Sequence, residues 1–514
     1  MVNFLKLHRA TLAILFLAAL LRFFLLEIKP PHFDEGVNGW FVDQMIKTGY
    51  FHYDPENYHG PLHFYLLFLS QTLFGRHVWA LRLPVILVSL ASIWLVTRFD
   101  QFLPRRACLI AALVMAISPA EVFYARYAIH EAELAFFLLL TTWGLARLWK
   151  IGDRKGLWAV GMGLTGMLLT KETYIIHVAC FLLTGICLWV WGKITPFSTR
   201  PADQVWSRKD MWALIGCALL LVLFFYSGNF FDPSSLKGLY QTYAAWVKTG
   251  THGNGHEKGW YYWFYLVGLF EWPVALGLIF GVLWALVGFF REVTGSDVSD
   301  LSDQAKLLLR FLAIYGCGAL VAYSLVPYKT PWCIITLIWP FFFLFGYAVW
   351  LLAQRWGKVA ALAVSIPLLG ASLGASIWLN FFHYTDDWIP YVYVQTTNDI
   401  RKLTEPLFKM TTLDPGNYAM RGHIMIGSYY PLPWVLGDFT QLGYFTADRS
   451  PEVMDADFLL VDPDRVEKVE SALKESYFKE PLRLRSGMEP SMLYLRESKF
   501  QTIFPDRTPE FDPK

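Results

Sequence analysis

Apolar runs of membrane-spanning length recur along this chain, and no other feature limits its fold as strongly. They cover residues 12–28, 78–96, 107–123, 129–148, 157–169, 174–191, 211–226, 274–290, 307–326, 332–352 and 359–379. A perpendicular crossing of the bilayer takes about 20 apolar residues as a helix, because a lone helix satisfies its own backbone in hydrocarbon. The expected fold class is therefore an all-α polytopic membrane protein with about eleven transmembrane helices. Several runs fall short of that length, so flanking polar groups must snorkel or line protein cavities. A charged share of 17%, against roughly 25% in a soluble domain, excludes water as the main solvent of the fold. The opening MVNFLKLHRA has the basic flank of a secretory signal, but no small-residue cleavage site follows, so the first run reads as a retained helix.

Lys and Arg resist translocation, and they gather in alternate loops: Arg98, Arg105 and Arg106; Lys150, Arg154 and Lys155; Lys193, Arg200, Arg208 and Lys209; Arg355 and Lys358. Those loops, with Lys6 and Arg9 and with Arg291, Lys306 and Arg310, are expected in the cytoplasm. The reading is a multi-pass inner (cell) membrane protein with a cytoplasmic N-terminus. An odd number of spans puts the region beyond about residue 380 outside. The expected domains are a membrane domain, 1–380, with a first outer loop at 29–76, and an extracytoplasmic soluble domain, 381–514. In the latter, charges return, residues 457–461 and 492–495 read as strands, and 466–476 as an amphipathic helix, so it is expected to be small and α/β. All six cysteines lie in or beside apolar stretches and read as inert thiols, giving neither a disulfide framework nor a cysteine metal site. A formal net charge of +2 gives no reason to expect nucleic acid.

The residues with chemical capacity collect on the expected outer side. HFDEGVNGW opens the first loop with Asp34 and Glu35. Adjacent carboxylates diverge on any regular backbone, so they take separate roles rather than share a proton. Asp34 suits a helix N-cap before a helix at 36–47, and a carboxylate at a membrane mouth is equally a candidate general base. His59 and His63, four apart, could share a helix face and hold a divalent metal, or simply be interfacial hydrogen-bonding histidines. SPAEVFYARYAIHEAE brings Glu121, Arg126, His130, Glu131 and Glu133, and TKET brings Lys171 and Glu172. Ionisable groups this close to hydrocarbon are costly unless paired, so each is a functional candidate; alternatively Arg126 and a glutamate only neutralise each other. YKTPW adds Lys329, with Tyr328 and Trp332 beside it. Arg126, Lys171 and Lys329 would together suit a phosphate at headgroup depth. The glycine-rich THGNGHEKGW, with His252 and His256, is a candidate mobile loop.

In this order, DE after the first run, HGPLHFYLLFLSQTLFG leading into ALRLP, SPAEVFYARYAIHE, LLTKE and YKTPW, the chain resembles the GT-C superfamily of polyprenol-phosphate-dependent membrane glycosyltransferases. The likeness is to the branch of protein mannosyltransferases and lipid A aminoarabinose transferases and spans about the first 350 residues. The chain is most similar to flippase-activity-associated glycosyltransferase-like proteins, whose outer domain carries a YPLPW motif, here Tyr430 to Trp434. The resemblance implies membrane helices with two short helices in the first outer loop, at 36–47 and 61–74. It implies a polyprenyl-phosphate-linked sugar as donor, a glycan, lipid or protein acceptor, and inversion at the anomeric carbon. Asp34 corresponds to the catalytic carboxylate, and Glu35 is a second candidate at the catalytic site, as an acceptor or metal contact; Lys329, Arg126 and Lys171 are the candidates for the donor phosphate. His59, Glu121, Tyr328 and Trp332 are candidates for acceptor or substrate contacts. Members of the superfamily exist with and without a metal, so a divalent metal is a candidate cofactor at His59 and His63. Where relatives often show a doubled proline, this chain has His59, Gly60 and Pro61, and contacts there need not transfer. The competing readings are a lipid-linked sugar flippase or transporter, and a non-catalytic component of a surface-glycan assembly system; no inverted repeat favours the transporter.

Overall fold

The structure, a computed structural model, describes residues 2–56, 59–195, 202–252, 255–294, 301–446 and 448–513. The helices begin with α1 (Val2–Phe23), α2 (Phe33–Thr48), α3 (Leu62–Phe74), α4 (Val78–Thr97) and α5 (Arg105–Ile117). They continue as α6 (Pro119–Ala125), α7 (Glu131–Lys150), α8 (Arg154–Thr170), α9 (Tyr174–Ile194) and α10 (Arg208–Tyr226). Then come α11 (Gly238–His252), α12 (Tyr262–Phe270), α13 (Trp272–Val293), α14 (Asp303–Leu325), α15 (Ile334–Ile377), α16 (Ile400–Leu413) and α17 (Leu432–Val435). The five strands are β1 (Arg421–Met425), β2 (Gln441–Tyr444), β3 (Phe458–Val461), β4 (Tyr477–Leu482) and β5 (Ser491–Arg496).

The chain divides into two compact units, one of residues 1–26 and 44–383, the other of residues 27–43 and 384–514. The division passes through α2, whose first eleven residues, 33–43, go with the C-terminal unit rather than with the membrane helices.

The first unit is a multi-pass membrane bundle. Among the described residues seven helices are long and apolar enough to cross a bilayer, or eight if the bent pair α5–α6 is one span. The difference from eleven arises in part because α8 has 17 residues and because α15 is two helices, meeting at a kink, that are counted as one. At that kink Gly357 adopts φ 87°, a left-handed backbone that only glycine enters cheaply, and this is where the basic turn of Arg355 and Lys358 was expected. The α5–α6 bend of 57° falls at Pro119, whose ring removes a backbone donor, while Ser118 Oγ accepts the Glu121 N–H at 3.3 Å. The helix ends follow their charges. Glu131 and Glu133 open α7 and Arg147 and Lys150 close it, as the helix dipole favours, and Ser207 with Asp210 forms a capping box on α10.

The second unit is a mixed sheet in the order β2-β1-β3-β5-β4, with β1 parallel to β2 and β3, and β5 antiparallel to β3 and β4. Phe458 and Leu460 point to one face, against Leu403 and Leu407 of α16; Leu459 and Val461 point to the other, against Val469 and Leu473. A central strand covered on both faces explains why FLLV is apolar without alternation. The expected helix at 466–476 stops at Glu470, because Asp455 draws the Lys474 and Glu475 amides into a loop at 3.1 and 3.3 Å.

Candidate active site

In the membrane unit the polar segments assemble where α3 and α7 begin and α8 ends. Gly60 makes this possible: its N–H donates to the Thr170 carbonyl at 3.0 Å, and a Cβ there would collide with the backbone of Leu169 and Thr170. The close approach sets His59 Nδ1 2.8 Å from Glu172 Oε2. His63, in the first turn of α3, places Nδ1 2.8 Å from Glu133 Oε1 of α7. The His130 ring lies between the two histidines, its centroid 4.9 Å from that of His59 and 4.1 Å from that of His63. Lys171 forms an ion pair with Glu131, both buried, and the Cys333 thiol donates to the same carboxylate at 3.8 Å. Among the described residues, the buried His130 Nε2, Glu133 Oε2 and Glu172 Oε1 have no protein hydrogen-bond partner. Buried polar atoms in that condition call for a water or a ligand.

His59 and His63 thus answer to different glutamates. Among the described residues no group of three or more His, Cys, Asp or Glu side chains has the geometry to hold a metal ion. The donor set among the described residues does not fit a ready-made metal cage.

Arg126 is buried, and its guanidinium donates to the carbonyls of Leu21 at 3.0 Å, Phe24 at 2.6 Å and Leu25 at 2.6 Å, at the end of α1. Its other face covers the Phe381 ring at 4.8 Å. Arg22 and Arg82, which the sequence reading did not single out, lie within electrostatic reach of Arg126. Arg22 bonds Ser89 Oγ and the Ala116 carbonyl, at 2.9 and 3.0 Å, and Arg82 bonds the Leu26 carbonyl at 2.7 Å. Cations at a helix C-terminus are favoured by its dipole. The available signal was an arginine inside an apolar run, as Arg22 and Arg82 both are. Glu121 is buried in α6 within reach of the Arg22 charge, and Glu271, also missed, holds the α6 start through Ser118 Oγ and the Ala120 N–H, each at 2.8 Å.

Lys329 is held in a loop by short antiparallel pairing of Glu257 with Tyr328. Its ammonium donates to the carbonyls of Val326 and of Lys258, the latter at 3.1 Å, which hold it without neutralising its charge. Burial lowers its pKa. The Tyr328 ring packs on His256 at 5.0 Å, and the Trp332 ring meets Tyr127 edge-on at 6.1 Å. His256 thus joins the site's periphery, whereas the side chain of His252 lies outside the described residues.

In the C-terminal unit the start of α2 separates the two adjacent carboxylates. The helix begins at Phe33, so the cap is His32 and not Asp34. His32 Nδ1 accepts the Asp34 N–H at 3.0 Å, and Nε2–H donates to the Tyr393 carbonyl at 2.8 Å, a neutral tautomer fixed from both sides. Burial holds its pKa down at about 3. Glu35 is fully buried and accepts the His32 N–H at 2.9 Å, the return half of a capping box. Asp34, one residue earlier, keeps a side chain 37% exposed. Arg485 lies over the Phe33 ring at 4.6 Å; burial lowers its pKa and the Asp34 charge opposes that shift. YPLPW packs on the same helix: Cβ atoms at Gly36 and Gly39 would meet Pro431 and the Trp434 indole, and Phe33 stacks edge-on with Tyr430 at 5.4 Å.

A bundle of apolar helices, two short helices soon after the first span and a small mixed sheet at the C-terminus make up the fold. Residues 58–199 match the dolichyl-phosphate-mannose-protein mannosyltransferase family. The fold is similar to that of ArnT from Cupriavidus metallidurans bound to undecaprenyl phosphate, with a TM-score of 0.55 at 15% identity over 95% of this chain and 97% of that one. Its apo state gives 0.56 at 14% identity over the same shares, 95% and 97%. YkcB of Bacillus subtilis (strain 168), provisionally named a mannosyltransferase, is 34% identical over 128 residues, 24% of this chain. The chain spans 18% of the length of that relative. The matched segment and the shared architecture support the GT-C superfamily.

Proposed function

We propose that this protein is an inverting membrane glycosyltransferase that moves a sugar from a polyprenyl-phosphate donor to an acceptor on the outer face of the inner (cell) membrane. The observation that carries the reading is the division of labour on α2: Glu35 is buried in the helix cap while Asp34 remains partly exposed. A similar fold with undecaprenyl phosphate bound, in ArnT, supports the donor class.

Asp34 is the general base. As the acceptor oxygen forms its bond to the anomeric carbon, the hydroxyl proton passes to the Asp34 carboxylate and the bond from that carbon to the phosphate oxygen breaks. Polyprenyl phosphate leaves as a weakly basic anion, so fixed positive charge suffices and no acid is needed. Lys329 leads that role because carbonyls hold its ammonium without cancelling its charge, and Arg126 is held in the same way. Lys171 follows, since a phosphate must compete with Glu131 for it. His59 and Glu121, with Tyr328 and Trp332, are the acceptor contacts.

Purified full-length protein incubated with a panel of polyprenyl-phosphate sugars and glycan, lipid or peptide acceptors should release free polyprenyl phosphate in step with a glycosylated acceptor. Movement of the intact sugar lipid across reconstituted vesicles without cleavage would instead establish a flippase.

A further inference from the structure

At the far ends of α7, α9 and α14 from the His–Glu cluster lies a second feature, a cavity of about 630 Å³ within the membrane unit. α7 runs from Glu131 to Lys150, so at 1.5 Å per residue the cavity mouth lies about 30 Å from that cluster. Phe181, Leu188, Leu308 and Phe311 give it an apolar wall, and a Cβ added at Gly185 would meet open space. Lys150 and Lys193 line the same cavity, and no Asp or Glu does among the described residues. Both lysines are exposed beside aromatic rings: the ammonium of Lys150, which also donates to the Gln101 carbonyl, lies 5.9 Å from Phe102, and that of Lys193 lies 5.5 Å from Trp189.

Apolar walls with cations and indoles at one end are what a lipid needs, with acyl chains inside and a phosphate at the interface. We propose that this cavity binds an anionic diacyl phospholipid of the cytoplasmic leaflet, its phosphate on Lys150 and Lys193 and an acyl chain over Gly185. The leaflet follows from the Lys- and Arg-rich loops that flank these helix ends. The site is independent of the catalytic reading, since none of its residues takes part there.

The test is native mass spectrometry of the detergent-solubilised full chain titrated with phosphatidylglycerol, phosphatidylcholine, undecaprenyl phosphate or inorganic phosphate. Phosphatidylglycerol should be retained at the lowest concentration. Each lysine contributes roughly fivefold, so Lys150→Gln with Lys193→Gln should weaken its binding by about thirtyfold and leave phosphatidylcholine unchanged. Gly185→Trp should remove phosphatidylglycerol by filling the groove, with the thermal unfolding midpoint of the lipid-free protein unchanged. Equal retention of the two phospholipids, tighter binding of undecaprenyl phosphate or inorganic phosphate, or full retention by a folded Gly185→Trp variant would each overturn the proposal.

Discussion

The two polar centres of this molecule treat their charges in opposite ways. In the membrane unit Lys171 faces Glu131, His59 faces Glu172 and His63 faces Glu133, all but His59 deeply buried. At the start of α2 a neutral histidine and a buried glutamate close the cap, and the one carboxylate between them is turned partly to solvent. Burying a charge in low dielectric is so costly that it must be compensated, and compensation fixes the group in place. A carboxylate that stays accessible keeps the capacity to take a proton from something that arrives. The contrast teaches that paired, buried charges serve the packing of the membrane unit, whereas the cap of α2 leaves one carboxylate accessible.

The sharpest way to break this comparison is to exchange the behaviour of the two centres. Asp34→Asn removes the base and should lower turnover by about 10²- to 10⁴-fold, measured as release of polyprenyl phosphate. Lys171→Met leaves the Glu131 carboxylate buried and uncompensated, which should destabilise the membrane unit by about 3–5 kcal/mol in a denaturant titration. Adding Glu131→Leu should restore most of that loss; no restoration would mean that the pair is not the source.

A pH-dependent effect sharpens the cap. His32 has its pKa lowered from the ordinary 6.5 to about 3 in the folded chain, so below pH 6.5 the unfolded chain binds a proton that the folded chain refuses. Stability is therefore complete above that pH and is lost as pH falls toward 3, by up to about 1.4 kcal/mol per unit. His32→Asn, which caps without titrating, should flatten the dependence between pH 6.5 and 3. Smallest is the platform beneath α2: Gly39→Ala pushes a methyl into the Trp434 indole and should cost about 1–3 kcal/mol in thermal unfolding.

Much of the fold was legible because hydropathy depends on composition over a helix length. Residues 78–96 and 174–191 read as helices from sequence and are α4 and α9. The short α3 was also visible, since Pro61 marks its start. The site was legible by residue type but not by role. Asp34 looked like an N-cap, yet His32 does that work, and a histidine accepts an amide proton only when another group holds its tautomer, here Tyr393, 361 residues away in sequence. Arg126 looked like a phosphate ligand or the partner of a glutamate; its carbonyl partners depend on where α1 stops, and Leu25, at φ 47°, leaves the helical region there. The α5–α6 bend, by contrast, could be placed from Ser118 and Pro119.

The most direct test sets Asp34→Asn beside Glu35→Ala in the same membrane preparation, scoring turnover per folded molecule and thermal unfolding together. Asp34→Asn should keep the wild-type unfolding curve and lose transfer, whereas Glu35→Ala should unfold earlier and, while folded, still transfer. Wild-type turnover by Asp34→Asn, or loss of transfer in a fully folded Glu35→Ala with Asp34 intact, would contradict the assignment of Asp34 as the base.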